Sequence, residues 1–338
     1  MVKGVNGHGL SIKALLVLEV YLKLRLHIKT SMRKGASVII RAFNSERYIG
    51  EALKSIIDQD YDGIITTVIC YDEGSNDKTL DVILSFQEAA PPNRPVKLVR
   101  HTHLTPFRAL QKCGFENVDD EYIFLLDYDN YYPLNYIREV INGAEKYNAS
   151  FVFTRVKVVD KYGQELGWLT NIPQNPYDRC ELIKGNYTDA SGIMLRRDCL
   201  GIVKKLLLKI DSPYYDWLHE DWLVSLLAIK HCKPLYVEGH VYYRIHETNI
   251  TAGIQTLPKH MFSIERSIKT LLAFYEIEKG SLSEREINTL KKSITNHLLS
   301  YMSSSYKYIN QKVLSLGLAK LISLEVLRRL FSYIRYKT

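Results

Sequence analysis

The sequence predicts an α/β fold, in which a sheet is flanked by helices and followed by a helical extension. Four short apolar runs are predicted strands at 36–43, 64–72, 96–100 and 121–127, and the first is rich in β-branched side chains. Segments with helical spacing separate these runs, and strands that alternate with helices favour a parallel sheet with helices on both faces. The chain has 338 residues, 46% of them hydrophobic, which is enough to bury a sizeable core. From about residue 257 the pattern is helical only.

The helices between these strands are predicted from the spacing of their apolar residues. The first covers 45–59, where apolar side chains recur on one face and Ser45 is placed to cap the start. The second covers 76–89 and ends before the sequence PPNRP, because proline cannot continue a helix. A third helix is expected around 106–116.

The middle of the chain mixes strands and helices in a less regular order. The predictions are two strands joined by a turn over 150–169, a strand leading into a helix over 189–198, a helix over 213–229, and two paired strands over 234–246. The turn between the last two strands is expected at Glu238-Gly239.

Two flanking segments have an amphipathic pattern. The segment from residue 10 to 28 carries charges that interrupt the run of about 18 apolar residues a membrane span needs. The segment 312–337 is apolar and strongly basic, which is typical of a helix in a membrane interface. The alternative is a helix packed on the main domain or on a second subunit of a homo-oligomer. We therefore divide the chain into an amphipathic segment 1–34, a main α/β domain 35–253 and a helical region 254–338.

The charge and the cysteines limit the class of protein. Lys and Arg number 45 against 37 Asp and Glu, a net charge of +8 that suits an anionic ligand or membrane surface and does not single out nucleic acid. The five cysteines are scattered, odd in number and without a Cys-x-x-Cys pair. We expect free thiols in a reducing, cytoplasmic compartment.

Acidic side chains follow two of the predicted strands. In YIFLLDYDNYYP, residues 122–133, an apolar run ends in Asp127 and Asp129, which face the same side of an extended segment. Asp72 ends the second strand, and ligands of such sheets bind beyond the carboxyl ends of the strands. Two carboxylates open to solvent suit Mg²⁺ or Mn²⁺ on a diphosphate. The alternative is a polar loop with solvated acids.

Five motifs in order resemble those of family 2 glycosyltransferases with the GT-A fold, the Rossmann-like mixed sheet that binds nucleotide sugars. They are SVIIRAFNSERYIGEALKSIIDQDY, DEGSNDKT, YIFLLDYDN, HEDW and YRIHETNIT, and they cover roughly residues 36–253. The resemblance implies an enzyme that uses a UDP- or GDP-sugar donor and Mg²⁺ or Mn²⁺.

The resemblance also implies roles for residues at the strand ends. Ala42, Phe43 and Asn44 would line the nucleoside pocket. Asp72 would contact the base or ribose. Asp127 would face the ribose or donor sugar.

Further positions of the resemblance concern the diphosphate and the metal ion. Asp129 would bind the ion, with Asp127 beside it. His246 would ligate the ion or touch the diphosphate, and Arg244 would pair with a carboxylate or phosphate. Asp189 would contact the donor sugar.

The HEDW motif supplies the candidate catalytic base. Glu220 and Asp221 are adjacent and point about 100° apart on a helix, so one faces the crevice while the other makes a structural contact. Trp217 and Trp222 flank them and favour partial desolvation, which raises basicity. The resemblance assigns the base to Asp221. The alternative is two solvated acids at a helix N-terminus.

The sequence departs from the family pattern at three strand ends, with Arg41 in place of a proline, Glu73 in place of an aspartate and Asn130 in place of an acid. The stretch 101–115 lacks the usual Arg-Asn, and either Arg108 or Lys112 is a candidate for the missing positive charge.

We expect an inverting, metal-dependent glycosyltransferase with a glycan or lipid-linked hydroxyl acceptor, peripheral on the inner face of the membrane if the basic helix binds lipid. One alternative is a nucleotidyltransferase, although RAFNSERY lacks the Gly-rich phosphate loop of that class. Another is a non-catalytic sugar-nucleotide binder or scaffold.

Overall fold

The computed structural model of the chain describes residues 34–169, 171–247, 249 and 256–313. In this part of the chain one sheet has eight strands: β1 Ala36–Ala42, β2 Ile65–Asp72, β3 Val96–His101, β4 Tyr122–Asp127, β5 Phe151–Val159, β6 Glu165–Trp168, β7 Ile193–Arg196 and β8 Pro234–Arg244. Their order is β3-β2-β1-β4-β7-β5-β6, and β8 pairs with β5.

The first half of the sheet is parallel and the second half is mixed. β1 lies between β2 and β4, and all three run in the same direction. β7 is antiparallel to both β4 and β5, which makes the sheet mixed. The predicted α/β fold with a mixed sheet is therefore confirmed. Arg41 lies opposite Asp127 in the register, so the carboxyl ends of β1 and β4 meet at one edge.

Helices cover both faces of the sheet. They are α1 Ile49–Ile57, α2 Thr79–Ala89, α3 Pro106–Ala109, α4 Tyr136–Tyr147, α5 Arg179–Lys184, α6 Arg197–Leu207, α7 Glu220–His231, α8 Leu257–Glu278 and α9 Glu284–Val313. A π-helical turn, Leu110–Phe115, extends α3. One apolar cluster packs α1, α2 and α4 on one face, and a second packs α3, α6, α7 and α8 on the other.

The helix predicted over 213–229 begins later than expected. Pro213–Tyr215 forms a short 3-10 turn, and α7 starts at Glu220. The Ser212 hydroxyl accepts a hydrogen bond from the Tyr214 N–H at 3.4 Å, so this turn has its own cap.

The pair of strands predicted over 234–246 is wrong, because the segment forms the single strand β8. Tyr236 lies opposite Phe153 of β5, and His240 lies opposite Arg155. A step of four residues in β8 is therefore paired with a step of two residues in β5, which is a β-bulge. Gly239 lies within this bulge and not in a turn.

The prediction that all cysteines are free is also wrong. Cys199 at the start of α6 and Cys232 after α7 form a disulfide, with their Cα atoms 5.6 Å apart. The packing of α6 against α7 brings them together across 33 residues. Cys70, Cys113 and Cys180 are free and buried.

The described part of the C-terminal region packs into the main core. Ile264, Leu271 and Phe274 of α8 belong to the cluster that includes α7. The domain boundaries at 34 and 253 stay predictions. The basic segment of 314–337 and the N-terminal amphipathic segment lie outside the described residues. Among the residues described, no helix has the length and apolar character to cross a bilayer.

Candidate active site

The centre of the site is the edge where β1 and β4 end. Asp127 is the last residue of β4, and its Oδ1 accepts a hydrogen bond from Arg41 Nη2 at 2.7 Å. Burial raises the pKa of Asp127, and Arg41 opposes this shift while the Asp129 carboxylate adds to it. Arg41, which the sequence marks only as a departure from the family pattern, thus compensates one of the two clustered acids.

Asp129 is held by two side chains from the segment after β8. Its Oδ2 lies 3.0 Å from His246 Nε2 and accepts a hydrogen bond from Asn249 Nδ2 at 2.8 Å. The Asn249 Oδ1 also accepts from the His246 N–H at 2.5 Å, which fixes this segment. The ring of Tyr48 packs on His246 with centroids 4.5 Å apart. Asp129 and His246 are brought together as predicted, whereas Asn249 was not predicted.

Arg244 is buried behind this cluster. Its Nε donates to the Asp129 carbonyl at 3.3 Å, and its Nη1 donates to the Lys161 carbonyl at 3.2 Å. Its Nη2 pairs with the Glu51 carboxylate at 2.5 Å. The side chain is only 3% exposed, so the contacts seen here fix the loop that carries Asp129.

The expected nucleoside pocket lies at the ends of β1 and β2. Asp72 Oδ1 accepts a hydrogen bond from the Gly74 N–H at 2.9 Å, which shapes the turn after β2. Asn44 has a φ of 44°, and its side-chain oxygen accepts from the Asn76 N–H at 2.9 Å. Ala42 is buried, whereas Phe43 is 52% exposed and offers a ring at the rim.

Asp221 lies in the first turn of α7, on the other side of the crevice. Its Oδ2 accepts a hydrogen bond from Asn186 Nδ2 at 2.9 Å. Burial raises the pKa of Asp221 to about 6, and the Glu220 carboxylate adds to the shift. Burial likewise raises the pKa of Asp189, together with repulsion from Asp127 and Asp221. These acids therefore share one site.

Glu220 has a different environment from its neighbour. It is buried and bound by Arg41 Nη1, and it accepts from Arg266 Nη2 at 3.3 Å. Burial alone would raise the pKa of Glu220, but the two guanidinium groups outweigh it and lower that pKa to about 2. Glu220 is thus held as an anion, whereas the pKa of Asp221 lies closer to neutral pH.

Comparison with known proteins finds similarity to glycosyltransferases over the part of the chain that carries the first half of the site. The profile of the family described as Glycosyl transferase family 2 matches residues 37–201. The chain is a glycosyltransferase that is similar to this family over that stretch. An uncharacterized glycosyltransferase of Haemophilus influenzae is 25% identical over 265 residues, which are 75% of this chain and 78% of that protein. An uncharacterized glycosyltransferase of Nostoc is 24% identical over 220 residues, covering 63% and 65%.

A solved structure shows the same fold. The crystal structure of Staphylococcus aureus TarS superposes with a TM-score of 0.52 at 16% identity, and it covers 79% of this glycosyltransferase. The chain spans 44% of that TarS chain. At this identity the likeness concerns the fold, which is GT-A.

The departures from the family pattern have structural explanations in this glycosyltransferase. The Asn130 side chain is buried, donates to Ser191 Oγ at 2.8 Å and accepts from the Arg244 N–H at 3.1 Å. An amide fits there because it both donates and accepts, which a carboxylate does not. Arg108 is bound to Asp216 at 2.7 Å and to Asp211 at 2.9 Å, so it fixes the loop before α7. Arg41 is the cation at the centre of the site.

The side chains of Asp129 and His246 fit a divalent ion whose other ligands come from a substrate. No group of three or more acidic, His or Cys side chains arranged for a metal ion is found in the described residues. Asp129 Oδ2 and His246 Nε2, however, are 3.0 Å apart. Neighbouring ligands of an octahedral ion, with bonds of about 2.1 Å, lie about 3 Å apart, and Mg²⁺ commonly takes its other ligands from water and phosphates. Two protein ligands therefore suffice if a diphosphate binds beside them.

Proposed function

We propose that this glycosyltransferase moves a sugar from a nucleotide-diphosphate donor to an acceptor hydroxyl with inversion at the anomeric carbon, and that Asp221 is the base. The observation that carries the proposal is the contrast within the Glu220-Asp221 pair. Only Asp221 has a pKa of about 6, close to the value that suits general base catalysis at neutral pH.

The proposed reaction is a single displacement at the anomeric carbon. Asp221 takes the proton of the acceptor hydroxyl while the acceptor oxygen forms a bond to the anomeric carbon. The bond from that carbon to the diphosphate breaks on the opposite face, and the nucleoside diphosphate leaves. A single displacement inverts the configuration and needs no nucleophilic side chain on the enzyme.

The donor would lie along the edge formed by β1, β2 and β4. Phe43, Asn44 and Asp72 are proposed to contact the nucleoside of a UDP- or GDP-sugar. Asp127 and Asp189 would face the ribose and the donor sugar. The position of Asp189 supports this, since its Oδ1 accepts a hydrogen bond from the Ser191 N–H at 2.9 Å and the charges of Asp127 and Asp221 act on its carboxyl.

Asp129 and His246 are proposed to hold Mg²⁺ or Mn²⁺, with Asp127 nearby. When bound, the ion supplies positive charge to the diphosphate of the leaving group. Asn249 and Arg244 position Asp129 through the contacts described above.

The acceptor is proposed to be a glycan or a lipid-linked saccharide at a membrane surface. The basic amphipathic segment 312–337 supports peripheral attachment. Sedimentation with anionic vesicles tests this. The full chain should pellet with them in low salt and be released in high salt, whereas a chain that stays in the supernatant contradicts the attachment.

A turnover screen tests the reaction. UDP- and GDP-sugars are incubated with the full chain and Mg²⁺ or Mn²⁺, and the free nucleoside diphosphate is measured with water as acceptor. Asp221→Asn should slow release by at least about a hundredfold, the lower range for a general base. Asp81→Asn, an exposed acid in the first turn of α2, is the matched control and should match the wild type.

Three results contradict the proposal. Equal rates for Asp221→Asn and wild type would exclude Asp221 as the general base. Release of pyrophosphate would indicate a nucleotidyltransferase. Donor binding without turnover would indicate a binding protein.

A further inference from the structure

A single guanidinium group joins the two halves of the site. Arg41, at the end of β1, binds Asp127 through Nη2 at 2.7 Å and Glu220 through Nη1. Arg41 and Glu220 are 179 residues apart in the chain. Their side chains are 19% and 7% exposed, so the pair is shielded from solvent. The ion pair therefore ties the first turn of α7 to the edge of the sheet.

The same turn is held from the opposite side by α8. Arg266 Nη2 donates to the Leu218 carbonyl at 2.9 Å and to Glu220 at 3.3 Å. The Thr270 hydroxyl accepts a hydrogen bond from the His219 N–H at 2.8 Å. Residues 218–220 are thus fixed between the sheet and α8.

We propose that Arg41 and Glu220 are positioning residues of sugar transfer, which fix the place and the charge environment of the Asp221 carboxylate. The inference rests on the proposed function of Asp221 as base. Burying charges costs free energy, and a buried ion pair often contributes little to stability. A role in the reaction would explain why this ion pair is buried in the site although such pairs often contribute little to stability.

Several charged groups face Asp221 from the surrounding elements. They are Glu220 beside it on α7, Asp127 at the end of β4, Asp189 before β7 and Arg266 on α8, with the Asn186 amide as hydrogen-bond donor. The three acids favour protonation of Asp221, and Arg266 opposes it.

The two positioning residues should shift the titration of Asp221 in opposite directions. Glu220→Gln removes a negative neighbour of Asp221 and leaves Arg41 and Arg266 without this carboxylate, so the pKa of Asp221 should fall. Arg41→Gln leaves Glu220 and Asp127 without their shared cation, so the pKa of Asp221 should rise. We expect each midpoint to move by about one pH unit, because a unit charge acts strongly at a shielded site. A merely structural role would not give opposite shifts.

The experiment reads both the titration and the rate. The Asp221 carboxyl is followed by NMR in protein labelled with ¹³C-aspartate, and its signal is assigned by its loss in Asp221→Asn. Donor turnover is then measured against pH with the donor and metal found in the screen. The acid limb should follow the NMR midpoints, and kcat should fall by roughly tenfold to a hundredfold in both variants, the cost of small misplacements.

Two kinds of control separate the outcomes. Arg41→Lys keeps the positive charge and should show the wild-type titration midpoint of Asp221. This variant still tests the charge at position 41 if Arg41→Gln does not fold. Glu88→Gln and Arg285→Gln remove exposed charges and should leave midpoint and rate unchanged. Midpoints that stay fixed, or move in the same direction, overturn the inference. Opposite shifts in a protein that consumes no donor contradict the proposed function instead, because the NMR titration needs no turnover.

Discussion

Replacing the proposed base should make the protein more stable. Asp221 has a folded-state pKa of about 6 against an ordinary 3.8, a rise of about two pH units. Each unit corresponds to about 1.36 kcal/mol, so the ionised carboxylate costs the folded state roughly 3 kcal/mol at neutral pH. In Asp221→Asn the side-chain oxygen still accepts from Asn186, and the charge is gone. Because the site is partly open, we expect a gain of about 1–3 kcal/mol in the free energy of unfolding.

The pH dependence of this gain gives the sharper test. Below the unfolded-state pKa, the Asp221 carboxyl is protonated in both the folded and the unfolded wild type. The variant then has no higher free energy of unfolding than the wild type. As the pH rises, Asp221 ionises in the wild type, and the fold disfavours the ionised carboxylate. The stability gain of the variant therefore grows to about half of its maximum at pH 5 and levels off above the folded-state pKa. Urea unfolding at pH 5, 6, 7 and 8 measures it, with Asp81→Asn as control. A variant less stable than wild type at pH 7, or a difference independent of pH, would refute the reasoning.

Three further predictions concern the metal ligand, the disulfide and a close contact. Asp129→Asn should weaken Mn²⁺ binding in the presence of nucleoside diphosphate by more than about tenfold, a loss seen even for outer-shell partners; unchanged calorimetric affinity would exclude this ligand. Denatured, unreduced protein should label at three of its five cysteines, and labelling of all five would exclude the bond between Cys199 and Cys232. Removing that bond with a double serine variant should cost about 3–4 kcal/mol in urea unfolding, from the entropy of a loop spanning 33 residues. Gly114→Ala places a Cβ 2.9 Å from Ile39 Cγ2 under β1 and should cost about 1–3 kcal/mol; a thermal midpoint equal to wild type would show that the core yields.

The features that sequence alone predicted are those that depend on local pattern. The strands β1, β2 and β4 follow from short apolar runs, and their shared edge follows from the parallel order. Because parallel strands end at one edge, the sequence predicts Asp72, Asp127 and Asp129 in one crevice.

The features that were missed depend on partners distant in the chain. Arg41 meets Glu220 only because β1 and α7 are adjacent in the fold. Asn249 reaches Asp129 across 120 residues, and nothing near either residue signals the contact. The strand β8 was predicted as two because Gly239 looked like a turn, whereas its pairing with β5 absorbs the extra residues in a bulge.

The most direct test of the proposed function is a crystal soaked with Mn²⁺ and the nucleotide sugar that the screen selects. Sugar transfer as proposed requires an anomalous manganese peak bonded to the Asp129 carboxylate and His246 Nε2, with the diphosphate on its open side and the Asp221 carboxylate facing the anomeric carbon away from the leaving group. A donor bound with no metal at these two side chains, or with Asp221 on the leaving-group side, would contradict it.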